Sequence, residues 1–136
     1  MIKKPLLFDD AQTAYNYAKI VLKDRFYAGE EAISKNAQYS YYYAYDVIKG
    51  RFELGEKAIS QSASHSYLYA LRILQDRFVL EEIISKDESY SYYYAINILE
   101  GRFVLAEALL IFRSDYNNIM QKLLSKEEFI EFKLGF

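Results

Sequence analysis

The stretch Ser40-Tyr41-Tyr42-Tyr43-Ala44 returns unchanged as Ser91-Tyr92-Tyr93-Tyr94-Ala95. Between the two lies Ser66-Tyr67-Leu68-Tyr69-Ala70, and ahead of them Ala14-Tyr15-Asn16-Tyr17-Ala18. An Arg-Phe pair follows each block: Arg25-Phe26, Arg51-Phe52, Arg77-Phe78 and Arg102-Phe103, at spacings of 26, 26 and 25 residues. The short interval comes from Arg77-Phe78-Val79-Leu80-Glu81, which lacks a counterpart of Gly55. Four copies in register mark repeated supersecondary units that stack and share one core.

Each copy reads as a helical hairpin. Asp10, Asn36, Ser62 and Asp87 are good N-caps in register and open the first helix. In the second copy Ala37, Ser40, Tyr41, Tyr43, Ala44, Val47 and Ile48 recur at intervals of three and four and form one broad face. Ala18, Ala44, Ala70 and Ala95, with Ala14, Ser40, Ser66 and Ser91 a turn earlier, let neighbouring helices approach closely. Tyr17, Tyr43, Tyr69 and Tyr94 stand four residues before Val21, Val47, Ile73 and Ile98, which predicts that ring and aliphatic group share the packing face.

The first helices are expected to end near Lys23, Lys49, Gln75 and Glu100. Gly50 and Gly101 then suit a left-handed terminal position. The spacing predicts second helices over 26–33, 52–59, 78–84 and 103–110, held by tertiary packing because they are too short to be stable alone. Gly29 and Gly55 fall inside them at about 1 kcal/mol each, a cost that points to close backbone packing.

The expected architecture is all-α: stacked helical hairpins forming a short α-solenoid or compact superhelical bundle. One domain spans 1–136, with repeats about 10–35, 36–61, 62–86 and 87–113. Residues 114–136 form a divergent cap without the tyrosine signature. There Ser114-Asp115 caps a helix carrying Ile119, Leu123 and Leu124, and Glu127 to Lys133 forms a last helix or turn. Leu6, Leu7 and Phe8 are expected to cover the first hairpin.

Composition narrows the function. The 136 residues contain no cysteine, which excludes a disulfide framework, a thiol nucleophile and a cysteine zinc site. A net charge of -2 argues against a strong nucleic-acid footprint. No long uncharged apolar run suggests a membrane span, and the acidic Asp9-Asp10 comes too early for a secretory signal, so a cytoplasmic protein is expected. No metalloprotease, hydrolase or phosphate-loop motif appears. His65 occupies the slot of Thr13, Tyr39 and Tyr90, which is no acid–base position. The expectation is no enzyme, no catalytic residue, no metal and no cofactor.

Tyr43-Ala44, Gly50-Arg51-Phe52, Gly55-Glu56 and Ala58-Ile59 together resemble a short tandem helical repeat of uncharacterised proteins from tailed bacteriophages and some bacteria. The resemblance spans roughly residues 10–111, and the third and fourth copies depart from it at the glycine. It carries no catalytic residue across. It implies an accessory phage protein that binds or inhibits a host or defence protein, in the host cytoplasm.

Two sets of residues bear on binding. Arg25, Arg51, Arg77 and Arg102 suggest a phosphate ladder, but Glu30, Glu56, Glu81 and Glu107 recur with them, as structural ion pairs require. The other set varies among copies: Tyr39, Tyr42 and Tyr45; His65, Leu68 and Leu71; Tyr90, Tyr93 and Ile96. It lines one side of each first helix and is too apolar for solvated surface. Ile20, Asp46, Arg72 and Asn97 form a polar edge beside it. Either this ridge is an exposed recognition surface, or the stack coils tightly enough to bury it. Homodimerisation through the ridge satisfies both readings. The leading function is a protein-binding module. The alternatives are single-stranded nucleic-acid binding through tyrosine stacking, and a structural or assembly role in a virion.

Overall fold

A computed structural model describes residues 9–135. The expected cover by Leu6, Leu7 and Phe8 lies outside them. The described chain is all-α, with repeated helical hairpins stacked on one another. Copy one comprises α1 (Ala11–Asn16), a π-helical turn (Tyr17–Leu22), a 3-10 turn (Tyr27–Gly29) and α2 (Glu30–Ile33). Copy two comprises α3 (Ala37–Tyr42), a π turn (Tyr43–Ile48), a 3-10 turn (Glu53–Gly55) and α4 (Glu56–Ile59). In copy three α5 (Ala63–Tyr69) and a π turn (Ala70–Leu74) are followed by only a late 3-10 turn (Ile84–Lys86). Copy four restores the pattern with α6 (Glu88–Tyr94), a π turn (Ala95–Leu99), a 3-10 turn (Val104–Ala106) and α7 (Glu107–Leu110). The chain ends with α8 (Ser114–Leu123) and α9 (Lys126–Leu134).

All four predicted N-caps accept from a main-chain N–H in the first turn, Asn36 from Tyr39 and Asp87 from Tyr90 at 2.9 Å. The first helices then widen. The N–H groups of Lys49 and Gly50 both reach back to the Ala44 carbonyl, the second at 3.1 Å, and the same closure ends at Ala18, Ala70 and Ala95. These alanines are fully buried.

Widening corrects two expectations. A π turn bonds i to i+5, so the residue four after the tyrosine no longer stands over it. Val21 is 62% exposed, and Val47, Ile73 and Ile98 are only half-buried. The left-handed residue is also one position earlier than expected: Lys23, Lys49, Gln75 and Glu100 have φ of 50–57°, whereas no glycine has positive φ.

The predicted second helices of seven or eight residues are, in copies one, two and four, a 3-10 turn joined to a single α turn, and the third copy lacks the α turn altogether. Gly29 and Gly55 stand at the junction, not mid-helix. A Cβ on Gly55 would meet Ser40 Oγ and the Phe52 ring at 2.6 Å, so close packing of this turn on the first helix excludes a side chain. Copy four holds Ala106 there, buried to 1%.

The cap is less divergent than its sequence. Arg113, not Ser114, precedes α8 as its N-cap residue and makes no side-chain cap bond, and the helix buries Tyr116 and Met120 while Leu123 is 46% exposed. Ser125 and Glu128 form a capping box on α9, which buries Phe132.

Candidate binding face and the rungs behind it

One polar cluster recurs between consecutive copies. Tyr43 of copy two donates to Glu30 Oε2 of copy one at 2.6 Å and accepts from the Phe26 N–H at 2.8 Å. Arg25 closes the rung with Nε and Nη2 on the two Glu30 oxygens, both at 2.9 Å. Tyr69, Glu56, Arg51 and the Phe52 N–H repeat it. Tyr94, Glu81, Arg77 and the Phe78 N–H form the third rung. Tyr116, Glu107, Arg102 and the Phe103 N–H form the fourth. The tyrosine signature therefore survives in the cap as Tyr116, with its spacing to the donating phenylalanine N–H cut from 17 residues to 13.

Each rung buries a carboxylate that a guanidinium and a phenol satisfy together, which is the condition for a charge to remain inside. Burial, reinforced by the carboxylate, pushes the hydroxyls of Tyr43, Tyr69, Tyr94 and Tyr116 well above the usual tyrosine range. The glutamates hold the Nε–Nη2 edge of three of the arginines through two donors, and Nη2 alone of Arg77.

The first tyrosine of each motif lies in the seam between first helices. Its hydroxyl is met by the following copy through whatever stands at the polar-edge position. Tyr15 donates to Asp46, Arg72 donates to Tyr41 at 3.3 Å, and Asn97 donates to Tyr67 at 2.9 Å. Over Tyr92 the guanidinium of Arg113 lies 4.1 Å from the ring centre. A phenol both donates and accepts, so an acid, a guanidinium and an amide all serve. Variation at this edge thus has a structural cause.

The ridge residues come together on the same face, most of them half-buried. Tyr39 and Tyr42 pack on Tyr15 with ring centres 5.6 and 5.9 Å apart. His65 packs on Tyr41 and Tyr42, and Tyr90 and Tyr93 on Tyr67. Leu68 and Leu71 rest against the core, and Ile96 is half-buried beside them. Tyr45 and Tyr93 are each 47% exposed and are the open points of the face. Tyr42 of the ridge touches four rings: Tyr15 of the preceding repeat, Tyr39 and Tyr41 of its own, and His65 of the following one. Burial also pushes the His65 imidazole below its usual value, and its Nδ1 lies 2.8 Å from Ser62 Oγ.

A second exposed strip escaped the sequence reading. Tyr27, Leu54, Val79 and Val104, one or two positions after the Arg-Phe pairs, are 59–83% exposed. The signal was present as an apolar residue within two positions of each pair.

Comparison with family models, with curated proteins and with solved structures gives no match. Among the described residues no helix is long and apolar enough to cross a membrane, and no group of three or more His, Asp or Glu is arranged to hold a metal ion.

Proposed function

We propose that this chain is a non-enzymatic module that docks a partner protein on the tyrosine-lined face of its first helices. The observation that carries the reading is the run of ring contacts from copy to copy. Tyr39, Tyr42, His65, Tyr90 and Tyr93 are each fixed by the tyrosine of the preceding repeat. Aromatic rings that are already ordered present contact area at low entropic cost. Tyr45 and Tyr93 are the anchors, since they combine exposure with a held position. The Arg25, Arg51 and Arg102 guanidinium edges face glutamates, which favours a protein partner over a nucleic-acid strand. The resemblance to phage repeats puts bacterial host or defence proteins first among the partners to test, within a cytoplasmic setting.

The experiment is affinity capture from bacterial lysate, followed by binding measurements with the purified partner. Tyr45→Ala/Tyr93→Ala is expected to weaken binding by about tenfold or more, as loss of two aromatic anchors does. Equal binding by the double variant, with its fold intact, overturns the assignment.

A further inference from the structure

Copy four departs from the other three on the outer face of its second turn, a face that carries none of the tyrosine ridge. Two positions of that turn are exposed in every copy. The first follows the buried glutamate and holds Glu31, Lys57, Glu82 and then Ala108. The second lies two residues after the buried Ile33, Ile59, Ile84 and Leu110 and holds Lys35, Gln61, Lys86 and then Phe112. Polar and charged groups in three copies are thus replaced by apolar ones in the fourth, at both positions together. Phe112 is 90% exposed, and Val104, Leu105 and Leu109 of the same copy are open to solvent as well.

The stack itself shows what lies beside these positions. Lys57 and Gln61 of copy two line one cleft with Val79 and Leu80, the apolar pair that opens the second half of copy three. Ile84–Lys86 of copy three packs in the same way beside Val104–Ala106 of copy four. Copies three and four therefore each lay an apolar pair against the preceding copy. No Arg-Phe pair follows copy four, and only Leu124 and Ser125 separate α8 from α9. Ala108 and Phe112 are left without that neighbour.

We propose that a second copy of this chain supplies it, in an isologous dimer where Val104 and Leu105 of each protomer cover Ala108 and Phe112 of the partner subunit. The missing cover is an apolar turn of the kind copy four itself exposes, so the patch is its own complement. The matching positions of copy one carry Glu31 and Lys35, which disfavours a head-to-tail contact and the open filament it would build. Val79, Leu80, Val104, Leu105, Leu109 and Phe112 expose on the order of 600 Å² of apolar surface. A stable interface buries about 800 Å² a side, about 65% of it apolar in homodimers, so the patch supplies that whole share. A net charge of -2 opposes the approach of two copies only weakly.

The test is sedimentation velocity of the full chain at about 1 µM and about 100 µM. A monomer–dimer equilibrium is expected, with no larger species. Ala108→Glu/Phe112→Lys gives copy four the residues of copy three at two exposed positions, so circular dichroism should show the fold kept. This variant is expected to weaken the dimer by about tenfold or more. Tyr45→Ala/Tyr93→Ala is expected to leave the dimer unchanged, so partner docking on the tyrosine face and dimer formation are read by separate variants. The proposal is overturned if the chain is monomeric at both concentrations, or if its mass climbs past the dimer. It is also overturned if Ala108→Glu/Phe112→Lys dimerises as well as the wild type, or if Tyr45→Ala/Tyr93→Ala dissociates the dimer.

Discussion

Copies two and three build the same rung with different amounts of helix. In copy two Arg51 reaches Glu56 five residues on, placing Nε and Nη2 on separate oxygens at 2.8 and 2.9 Å, and α4 starts at Glu56 itself. In copy three Glu81 is only four residues after Arg77, a single guanidinium nitrogen, Nη2, makes the contact, and no helix forms before Ile84. Yet Phe78, Tyr94, Ile84 and Ser91 are as buried as Phe52, Tyr69, Ile59 and Ser66. Ser91 Oγ donates to the Ile84 carbonyl at 2.6 Å, as Ser66 does to Ile59 at 2.8 Å. The buried set is therefore what the repeat specifies. The second helix is a means of reaching it, dispensable because a four-residue helix has no stability of its own.

If the buried set decides stability, Tyr69→Ala and Tyr94→Ala should be equally damaging. Each removes a fully buried ring and leaves a glutamate and a phenylalanine N–H short of a partner. The expected loss is about 3–5 kcal/mol in either case, measured by urea unfolding of verified monomers. A loss at Tyr94 less than half that at Tyr69 would show that the shortened copy is a weak joint, against the equivalence drawn above.

The arginines should separate the two copies where the tyrosines do not. Arg51→Ala strips both hydrogen bonds from one side of a buried carboxylate, and the expected loss of stability is larger than for Arg77→Ala, though moderated by the exposure of the arginine itself. Arg77→Ala removes one contact and should cost about 1 kcal/mol. Equal costs in the same unfolding series would mean that the second hydrogen bond in copy two contributes nothing.

Much of this was legible in the sequence because it follows from counting. The period, the caps, the Arg–Glu pairing and the small residues at the helix contacts recur at fixed offsets apart from the one residue missing in copy three. Three features were hidden for physical reasons. The π turn results from the Ala44 carbonyl accepting two N–H groups, and no residue type marks that choice. Tyr116 keeps its place in the rung while the intervening chain shortens, so a search at constant spacing misses it. The half-burial of the ridge depends on how closely successive first helices approach, which places His65 on Tyr42. A helix face seen from one copy shows only its own pattern.

The left-handed position is common to all four copies, and it offers a gain. Lys49 and Gln75 hold φ of 57° and 53°, a conformation in which a Cβ is crowded. Lys49→Gly should stabilise by about 0.5–1 kcal/mol, and Gln75→Gly by the same amount, since both sites are exposed and lose no packing. A gain at one position only, in thermal or urea unfolding, would show that the two helix ends are strained differently despite their shared geometry.

The smallest expected difference between the copies lies at His65, which stands in copy three where copy two has Tyr39. Burial depresses the folded imidazole, while the unfolded chain titrates near pH 6.5. Between the two values the unfolded state binds more protons, so stability is fully present above about pH 6.5 and falls as the pH is lowered through that point. His65→Tyr copies the tyrosine of the neighbouring repeat and removes the titrating group. Its unfolding midpoint should match the wild type at pH 8 to within about 0.5 kcal/mol and exceed it at pH 5. The stacking on Tyr41 and Tyr42 should survive, because a phenol ring occupies the same place in copies two and four. If the wild type and His65→Tyr keep the same separation at pH 5 and pH 8, the imidazole is not desolvated by the seam. The face there would then be more open in copy three than the ring contacts describe, and the likeness of the two copies would end at the core.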